Sequence, residues 1–201
     1  GGAGFNTGSL YLIGFTQLGN VPMNLTLGNT TRLDYRNSSI GGDLTSTSGR
    51  LFFIGNTFNG TVNIEKTGSG DDQSTGGNTF SQVTEIENSG TGYILTANGN
   101  PDIYNNHLTL TNSGSNTIYF GYNSTGNSIN GDFNVQNTGS SLQMRILDLG
   151  STLTVSGNTT LLNSSNNAST QIYYPLNGIL TQVGDVTGNN ITSGNVGQIF
   201  I

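Results

Sequence analysis

Apolar residues recur along the chain in short groups that share one internal pattern. The clearest copies are FNGTVNI at 58–64, YNNHLTL at 104–110 and INGDFNV at 129–135, where the first, fifth and seventh residues are apolar. Such alternation is typical of a β-strand with one buried face. The core positions that the pattern predicts are Phe58, Val62, Ile64, Phe80, Ile86, Tyr104, Leu108, Leu110, Ile129, Phe133 and Val135.

The spacing of the copies predicts how these strands are arranged. Weaker copies begin at Val21, Ile40, Phe80 and Val155, and successive copies start 19, 18, 22, 24, 25 and 26 residues apart. A βαβ unit needs about 30 residues or more, whereas a β-solenoid coil needs fewer. The spacing therefore predicts an all-β fold, a right-handed parallel β-helix of roughly eight coils of about 18–26 residues.

Each copy is followed by a turn and a second short apolar group. Turn-rich segments such as 88–92 and 112–116 precede 93–95 and 118–120, which predicts two strands in each coil. Asn and Gly at the second and third repeat positions predict a bend there, because these residues tolerate positive φ. An antiparallel sandwich or jelly roll remains an alternative, although its strands need not repeat one motif in one register.

Composition narrows the possible functions. Charged residues make up 8% of the chain and 31 residues are glycine, so a helical bundle is excluded. There is no cysteine and no apolar run long enough to cross a membrane, and the abundance of Thr, Asn and Gly indicates an extracellular protein. The net charge of −6 and the scattered cations argue against nucleic acid as a partner. The five cations are Arg32, Arg36, Arg50, Lys66 and Arg145.

The last part of the chain departs from the repeat. We interpret residues 1–201 as a single solenoid segment in which 162–201 form an atypical terminal coil or an inter-subunit element. Ile199, Phe200 and Ile201 end the chain on an apolar strand that would be costly to leave in water. We expect these three residues to pack on a neighbouring copy.

Six low-complexity segments follow one another in a specific order up to about residue 161. They are GFTQLGNVPMNLTLGNTTRL (14–33), GNTFNGTVNIEKTGSG (55–70), GGNTF (76–80), ANGNPDIY (97–104), LTLTNSGS (108–115) and GNSINGDFNVQNTGSS (126–141). In this order they resemble the long repeats of very large surface proteins from gliding and biofilm-forming Bacteroidetes. The resemblance implies secretion, commonly by the type 9 route, and a role as filament, adhesin or surface coat without catalytic residues.

Candidate catalytic and metal-binding residues are few. His107 is the only histidine and occupies the outward fourth repeat position, which is a poor basis for catalysis or metal binding. Asp43 and Asp132 share that position but should lie several coils apart. The doublet Asp71–Asp72 in a glycine-rich loop could offer oxygen ligands to calcium, but we expect a solvated loop. No catalytic residue, metal site or cofactor is therefore predicted.

The sequence favours a non-catalytic structural module whose coils stack end to end with copies of itself or with neighbouring repeats. One alternative is a carbohydrate-binding surface, and another is an ice-binding face built from the outward threonines of 25–27, 108–110 and 153–155. Aromatic rings present both an apolar face and, in tyrosine, a polar tip to a sugar. The tyrosines considered for a sugar surface are Tyr11, Tyr35, Tyr93, Tyr119, Tyr122 and Tyr173.

Overall fold

The computed structural model describes residues 8–140, 143–164, 170–190 and 198–201. Their regular structure is entirely β-strand, and every strand pairs in parallel with a strand one coil away. The strands form three faces of a β-solenoid. The predicted parallel β-helix is therefore confirmed, and the antiparallel sandwich is wrong.

The longest sheet is a continuous ladder of eight strands, which we call the long face. Its strands are β2 (Met23–Thr26), β5 (Leu44–Ser48), β8 (Val62–Lys66), β10 (Thr84–Asn88), β13 (Leu108–Asn112), β16 (Phe133–Asn137), β19 (Thr159–Asn163) and β22 (Val186–Asn190). Eight strands define seven turns, which rise about 34 Å at an interstrand spacing of about 4.8 Å. The sheet is long enough to make the molecule a short rod.

A second sheet precedes the long face in each coil, and we call it the short face because most of its strands have two or three residues. Its strands are β4 (Ser39–Ile40), β7 (Thr57–Phe58), β9 (Thr79–Phe80), β12 (Ile103–Tyr104), β15 (Asn127–Ile129), β18 (Thr152–Val155) and β21 (Ile179–Gln182). The first repeat position lies on this sheet, whereas the fifth and seventh lie on the long face. Each coil thus has up to three strands, whereas the sequence predicted two. The short-face strand was not predicted separately, because a two-residue strand is too short to show alternation.

The third sheet is broken into two parts, so we call it the split face. Its first part contains β1 (Ser9–Ile13), β3 (Arg32–Arg36) and β6 (Arg50–Ile54). Its second part contains β11 (Ile94–Leu95), β14 (Ile118–Tyr122), β17 (Gln143–Asp148), β20 (Gln171–Tyr173) and β23 (Gln198–Phe200). The coil between the two parts has no strand on this face.

Side chains replace the missing strand at the break. The Leu51 amide donates to Asp72 Oδ1 at 2.8 Å, and the Phe53 amide donates to Ser74 Oγ at 3.0 Å. On its other side, the Asp72 amide donates to the Tyr93 carbonyl at 3.2 Å. The coil at 71–75 therefore joins both neighbours through a mixture of side-chain and backbone hydrogen bonds, which satisfies buried donors that would otherwise be costly.

The register of the long face tests the predicted coil lengths. Successive paired residues are 21, 18, 22, 24, 25, 26 and 27 positions apart, and the predicted intervals agree from Ile40 onward. The first interval was wrong. The copy that begins at Val21 has Leu25 at its fifth position, so the prediction paired Leu25 with Leu44. In the structure Met23 pairs with Leu44, and Val21 is exposed. The paired residues are Met23, Leu44, Val62, Thr84, Leu108, Phe133, Thr159 and Val186.

The inward side chains form one core along the axis. The rings of Phe58 and Phe80 stack with centroids 5.0 Å apart, and those of Phe80 and Tyr104 with centroids 4.6 Å apart. All eleven predicted core positions lie in the interior, none of them more than 4% exposed. Parallel pairing places equivalent residues on top of each other, so a ring in one coil packs on a ring in the next.

Glycine at the corner between the short and long faces serves a different purpose from the one predicted. Gly60 and Gly131 have no positive φ. A Cβ on Gly60 would lie 2.5 Å from the Asp43 amide nitrogen, and one on Gly131 would lie 2.7 Å from the His107 amide nitrogen. These glycines are required because stacked backbones approach closely, so the expected positive-φ bend was wrong.

A buried amide row stabilises the corner after the long face. Asn88, Asn112, Asn137 and Asn163 occupy equivalent positions and are fully buried. The Asn88 side chain donates to the Gly92 carbonyl, and the Asn112 side chain donates to the Asn116 carbonyl at 2.9 Å. The Asn-rich turn clusters of the sequence therefore hold the turn from inside the solenoid.

The stack continues beyond residue 162. The described parts of this segment contribute β20 and β23 to the split face, β21 to the short face and β22 to the long face. Its role between subunits stays a prediction.

Candidate functional surfaces

Exposed large apolar side chains are concentrated at the two ends of the stack. Of the ten in the described ranges, eight lie in the first or last coil, and only Val83 and Leu149 lie between them. In the last coil, Ile179, Val183 and Ile201 are 68%, 71% and 72% exposed. Both ends of the solenoid therefore present apolar surface to water.

The three residues predicted to form a contact between copies do not point the same way. Ile199 pairs with Ile172 on the split face and is partly buried against the core. Phe200 stacks on Tyr173 with ring centroids 4.8 Å apart, and it is exposed together with Ile201. Ile199 thus extends the core, while Phe200 and Ile201 are accessible to a partner.

The tyrosines proposed for a sugar surface divide clearly. The prediction was wrong for Tyr35, because this residue is completely buried and its ring packs edge-on against Phe58 in the core. The other five reach solvent, and all five lie on or beside the split face. They are Tyr11, Tyr93, Tyr119, Tyr122 and Tyr173.

Three of these tyrosines line a pocket on the second part of the split face. The Tyr93 and Tyr119 rings lie 5.6 Å apart at 85°, and the Tyr119 and Tyr122 rings lie 5.7 Å apart at 82°. The pocket has a volume of about 230 Å³, and Leu95 and Arg145 complete its lining. We call this set of five residues the tyrosine pocket.

Parallel register builds the tyrosine pocket. Leu95, Tyr119 and Arg145 pair in sequence on β11, β14 and β17, so their side chains form one outward row along the axis. The Arg145 guanidinium carbon lies 5.3 Å from the centroid of the Tyr119 ring. Sequence reasoning missed Leu95 and Arg145, although alignment of the segments ILT (94–96), IYF (118–120) and MRI (144–146) would have placed them beside Tyr119.

The arginines are concentrated on the same face. Arg145 forms an ion pair with Asp148 at 2.6 Å, and Arg32 and Arg36 both bind the buried carboxylate of Asp34. Four of the five cations lie on the split face, and three of them lie on its adjacent strands β3 and β6, so the expectation of scattered cations is wrong for those three. The four are Arg32, Arg36, Arg50 and Arg145.

Comparison with known proteins identifies no relative. No protein family model, curated protein or solved structure matches this chain. The resemblance to Bacteroidetes surface repeats therefore rests on its short segments alone.

The fifth cation is buried inside the solenoid. Lys66 takes the place of an asparagine in the amide row, and its Nζ donates to the Gly68 and Gly92 carbonyls at 2.8 and 2.9 Å. Burial lowers the pKa of Lys66, against the attraction of Asp72 and Asp71. Burial also raises the pKa of Asp72 well above its usual range. Asp72 is thus an internal structural residue, so the expected solvated loop was wrong for it.

A second carboxylate lies in another internal row. Asp102 Oδ1 accepts from the Asn78 amide nitrogen and side chain, each at 2.9 Å, and the Asp102 amide donates to Asn127 Oδ1. Asn56 occupies the equivalent place one coil before Asn78. Burial raises the pKa of Asp102 to about 6, although hydrogen bonds from Asn78 and Ala97 oppose the shift.

His107 lies on the surface beside Asp132. Its Nδ1 accepts the Asp132 amide hydrogen at 2.8 Å and lies 3.4 Å from the Asp132 carboxylate. Asp43 and Asp132 each accept a backbone amide of the following coil at 2.8 Å. These residues stabilise a corner of the stack. In the described ranges no three His, Cys, Asp or Glu side chains are grouped as metal ligands would be.

The threonines considered for ice binding do not form one ladder. Thr26 pairs with Thr47 in one outward row of the long face, while Thr109 lies in the neighbouring row opposite Glu85. Thr154 lies on the short face. The described ranges also contain no helix with the length and hydropathy needed to cross a membrane.

Proposed function

We propose that this chain is a non-catalytic structural module of an extracellular filament or cell-surface repeat protein, in which coils stack end to end. The observation that carries the proposal is the concentration of exposed apolar side chains in the two end coils, which hold eight of the ten in the described ranges. Burying such side chains contributes roughly 25 cal/mol per Å² of apolar surface, so contact between ends is favourable.

Backbone pairing supports the same contact. In the described ranges β21, β22 and β23 have a strand neighbour on one side only, as do β1 and β2 at the other end. An open strand edge is a template for another parallel strand. A second copy, or a neighbouring repeat of the same parent protein, would continue all three faces. The resemblance to Bacteroidetes repeats further suggests secretion by the type 9 route.

Charge substitutions at the last coil test end-to-end stacking. Val183→Asp and Ile201→Asp place a carboxylate on the end surface, and we expect both variants to lose filaments or oligomers that the unchanged chain forms. Assembly is measured by light scattering across a concentration series and by negative-stain electron microscopy. Deletion of residues 192–201, which removes β23, should impair assembly in the same way.

The flank of the rod supplies matched controls. Val83→Asp and Leu149→Asp change exposed apolar residues away from the ends, and Leu149 already has a φ of 52°, which aspartate tolerates. We expect normal assembly from both controls. Short monodisperse rods from the unchanged chain at every concentration, or equal assembly by end and flank variants, would overturn the proposal.

A further inference from the structure

Among the described residues, the exposed tyrosines are all on one side of the molecule. All five tyrosines that reach solvent lie on or beside the split face, together with Phe200 at its last strand. The outward rows of the long face contain polar residues and Leu162, but no aromatic residue among the described strands. End-to-end stacking does not require this asymmetry, because Tyr93, Tyr119 and Tyr122 lie on the flank of the rod.

The shape of the tyrosine pocket fits a single ring. Tyr93 and Tyr122 both stand nearly perpendicular to Tyr119, so the central Tyr119 ring has an edge-on aromatic neighbour in each contact. The volume of about 230 Å³ is smaller than the roughly 300–1,000 Å³ of pockets for drug-sized ligands. Amphipathic walls of this kind suit a ligand with an apolar face and a polar rim.

The charges of the tyrosine pocket favour a neutral ligand. The ion pair of Arg145 with Asp148 balances the guanidinium, so the pocket offers no unpaired positive charge to an anion. The Arg145 guanidinium is still a planar group with several N–H donors, and it lines the pocket beside the Tyr119 ring. Adjacent hydroxyls on a sugar ring match such groups.

The outward row continues from the pocket along the axis. Arg145 pairs with Tyr173, and Tyr173 pairs with Phe200, whose ring stacks on it. Two residues earlier on the same two strands, the Gln171 side chain donates to that of Gln198 at 3.3 Å. We propose that the split face binds a neutral polysaccharide, with one sugar ring in the tyrosine pocket and the chain extended toward β23.

Affinity electrophoresis tests this binding directly. The full chain is run through gels that contain mannan, dextran, laminarin or xylan as neutral polymers, or alginate as an acidic polymer. We expect at least one neutral polymer to retard the unchanged chain. Tyr119→Ala and Tyr93→Ala should each weaken binding about tenfold or more, since truncation of a central aromatic anchor costs most.

Tyr11→Ala is the matched control, because Tyr11 is exposed on the first part of the split face and lies outside the pocket. Its affinity should equal that of the unchanged chain, and circular dichroism should confirm that all three variants are folded. Tyr93 precedes β11, so its variant remains informative if Tyr119→Ala fails to fold. Lack of retardation by every neutral polymer, retardation by alginate alone, or equal loss in Tyr11→Ala would overturn the proposal. So would self-association, without polymer binding, that is lost in Tyr119→Ala.

Discussion

The long face and the split face are built by the same chain in the same coils, yet they differ in continuity and chemistry. The long face is an unbroken ladder of eight strands, whereas the split face is interrupted at residues 71–75. At the interruption, Asp72 and Ser74 hold the stack with side-chain hydrogen bonds. Continuous backbone pairing is therefore not needed on every face, provided that the buried donors find acceptors.

The outward residues differ in the same way. The long face is covered largely with Thr, Asn and Glu, while the split face carries the exposed tyrosines and four arginines. The long face fixes the register of the coils, which leaves the split face free to vary. The features that suggest binding therefore lie on the interrupted face rather than on the continuous one.

The largest expected effect comes from the core that all faces share. Phe80→Ala removes the ring that stacks between Phe58 and Tyr104, and it should lower the free energy of unfolding by about 3–5 kcal/mol. Urea denaturation measures this change. Val83→Ala, in the same coil but partly exposed, should cost less than about 0.5 kcal/mol. A similar fall in the free energy of unfolding for both variants would show that the aromatic stack does not dominate the stability of the core.

The interruption itself provides the next test. Asp72→Ala leaves the buried Leu51 amide without an acceptor and Lys66 without its nearby carboxylate, so the free energy of unfolding should fall by about 3 kcal/mol. Asp72→Asn retains an oxygen acceptor and should cost clearly less. An equal loss in both variants would mean that charge, rather than the hydrogen bond to Leu51, holds the interrupted coil.

The last expected effect appears only as pH changes, and it concerns Asp102. Its pKa is about 6 in the folded chain and about 3.9 when unfolded, so the folded state binds more protons between these values. Its contribution to stability is therefore most favourable below about pH 4, falls as pH rises to about 6 and is constant above. The total loss is up to about 3 kcal/mol.

Asp102→Asn isolates this contribution. The stability of the variant relative to the unchanged chain should rise between pH 4 and pH 7 in urea titrations. Asn56→Asp places a carboxylate in the same internal row two coils away. We expect the stability of this variant, like the contribution of Asp102, to fall as pH rises. A relative stability of Asp102→Asn that does not change with pH would contradict the assignment.

The sequence was sufficient to predict the strands that carry the repeat. Phe58, Phe80 and Tyr104 each begin a copy at a clear interval, and their stacking follows from parallel register. The sequence was insufficient for Asp72, because a glycine-rich segment resembles a solvated loop. Its burial depends on the unpaired Leu51 amide in the preceding coil, which becomes apparent only once the coils are aligned.

The tyrosine pocket was predictable only in part. Tyr93, Tyr119 and Tyr122 were identified as residues of a possible sugar surface, but Tyr35 has the same chemistry and is buried. Inward and outward residues of the split face can be separated only when its strands are in register. The short β11, with two residues, gives too little alternation for this.

The increasing coil length gives the rod a polarity. Along the long face, the number of residues per turn rises from 18 at β5–β8 to 27 at β19–β22. Identical copies joined head to tail would therefore meet at coils of unequal residue number, 27 in the last turn and 21 in the first. Each joint would interrupt the gradual rise in residues per turn, so the spacing and order of these interruptions along a fibre would reveal how many copies it contains and which way they point.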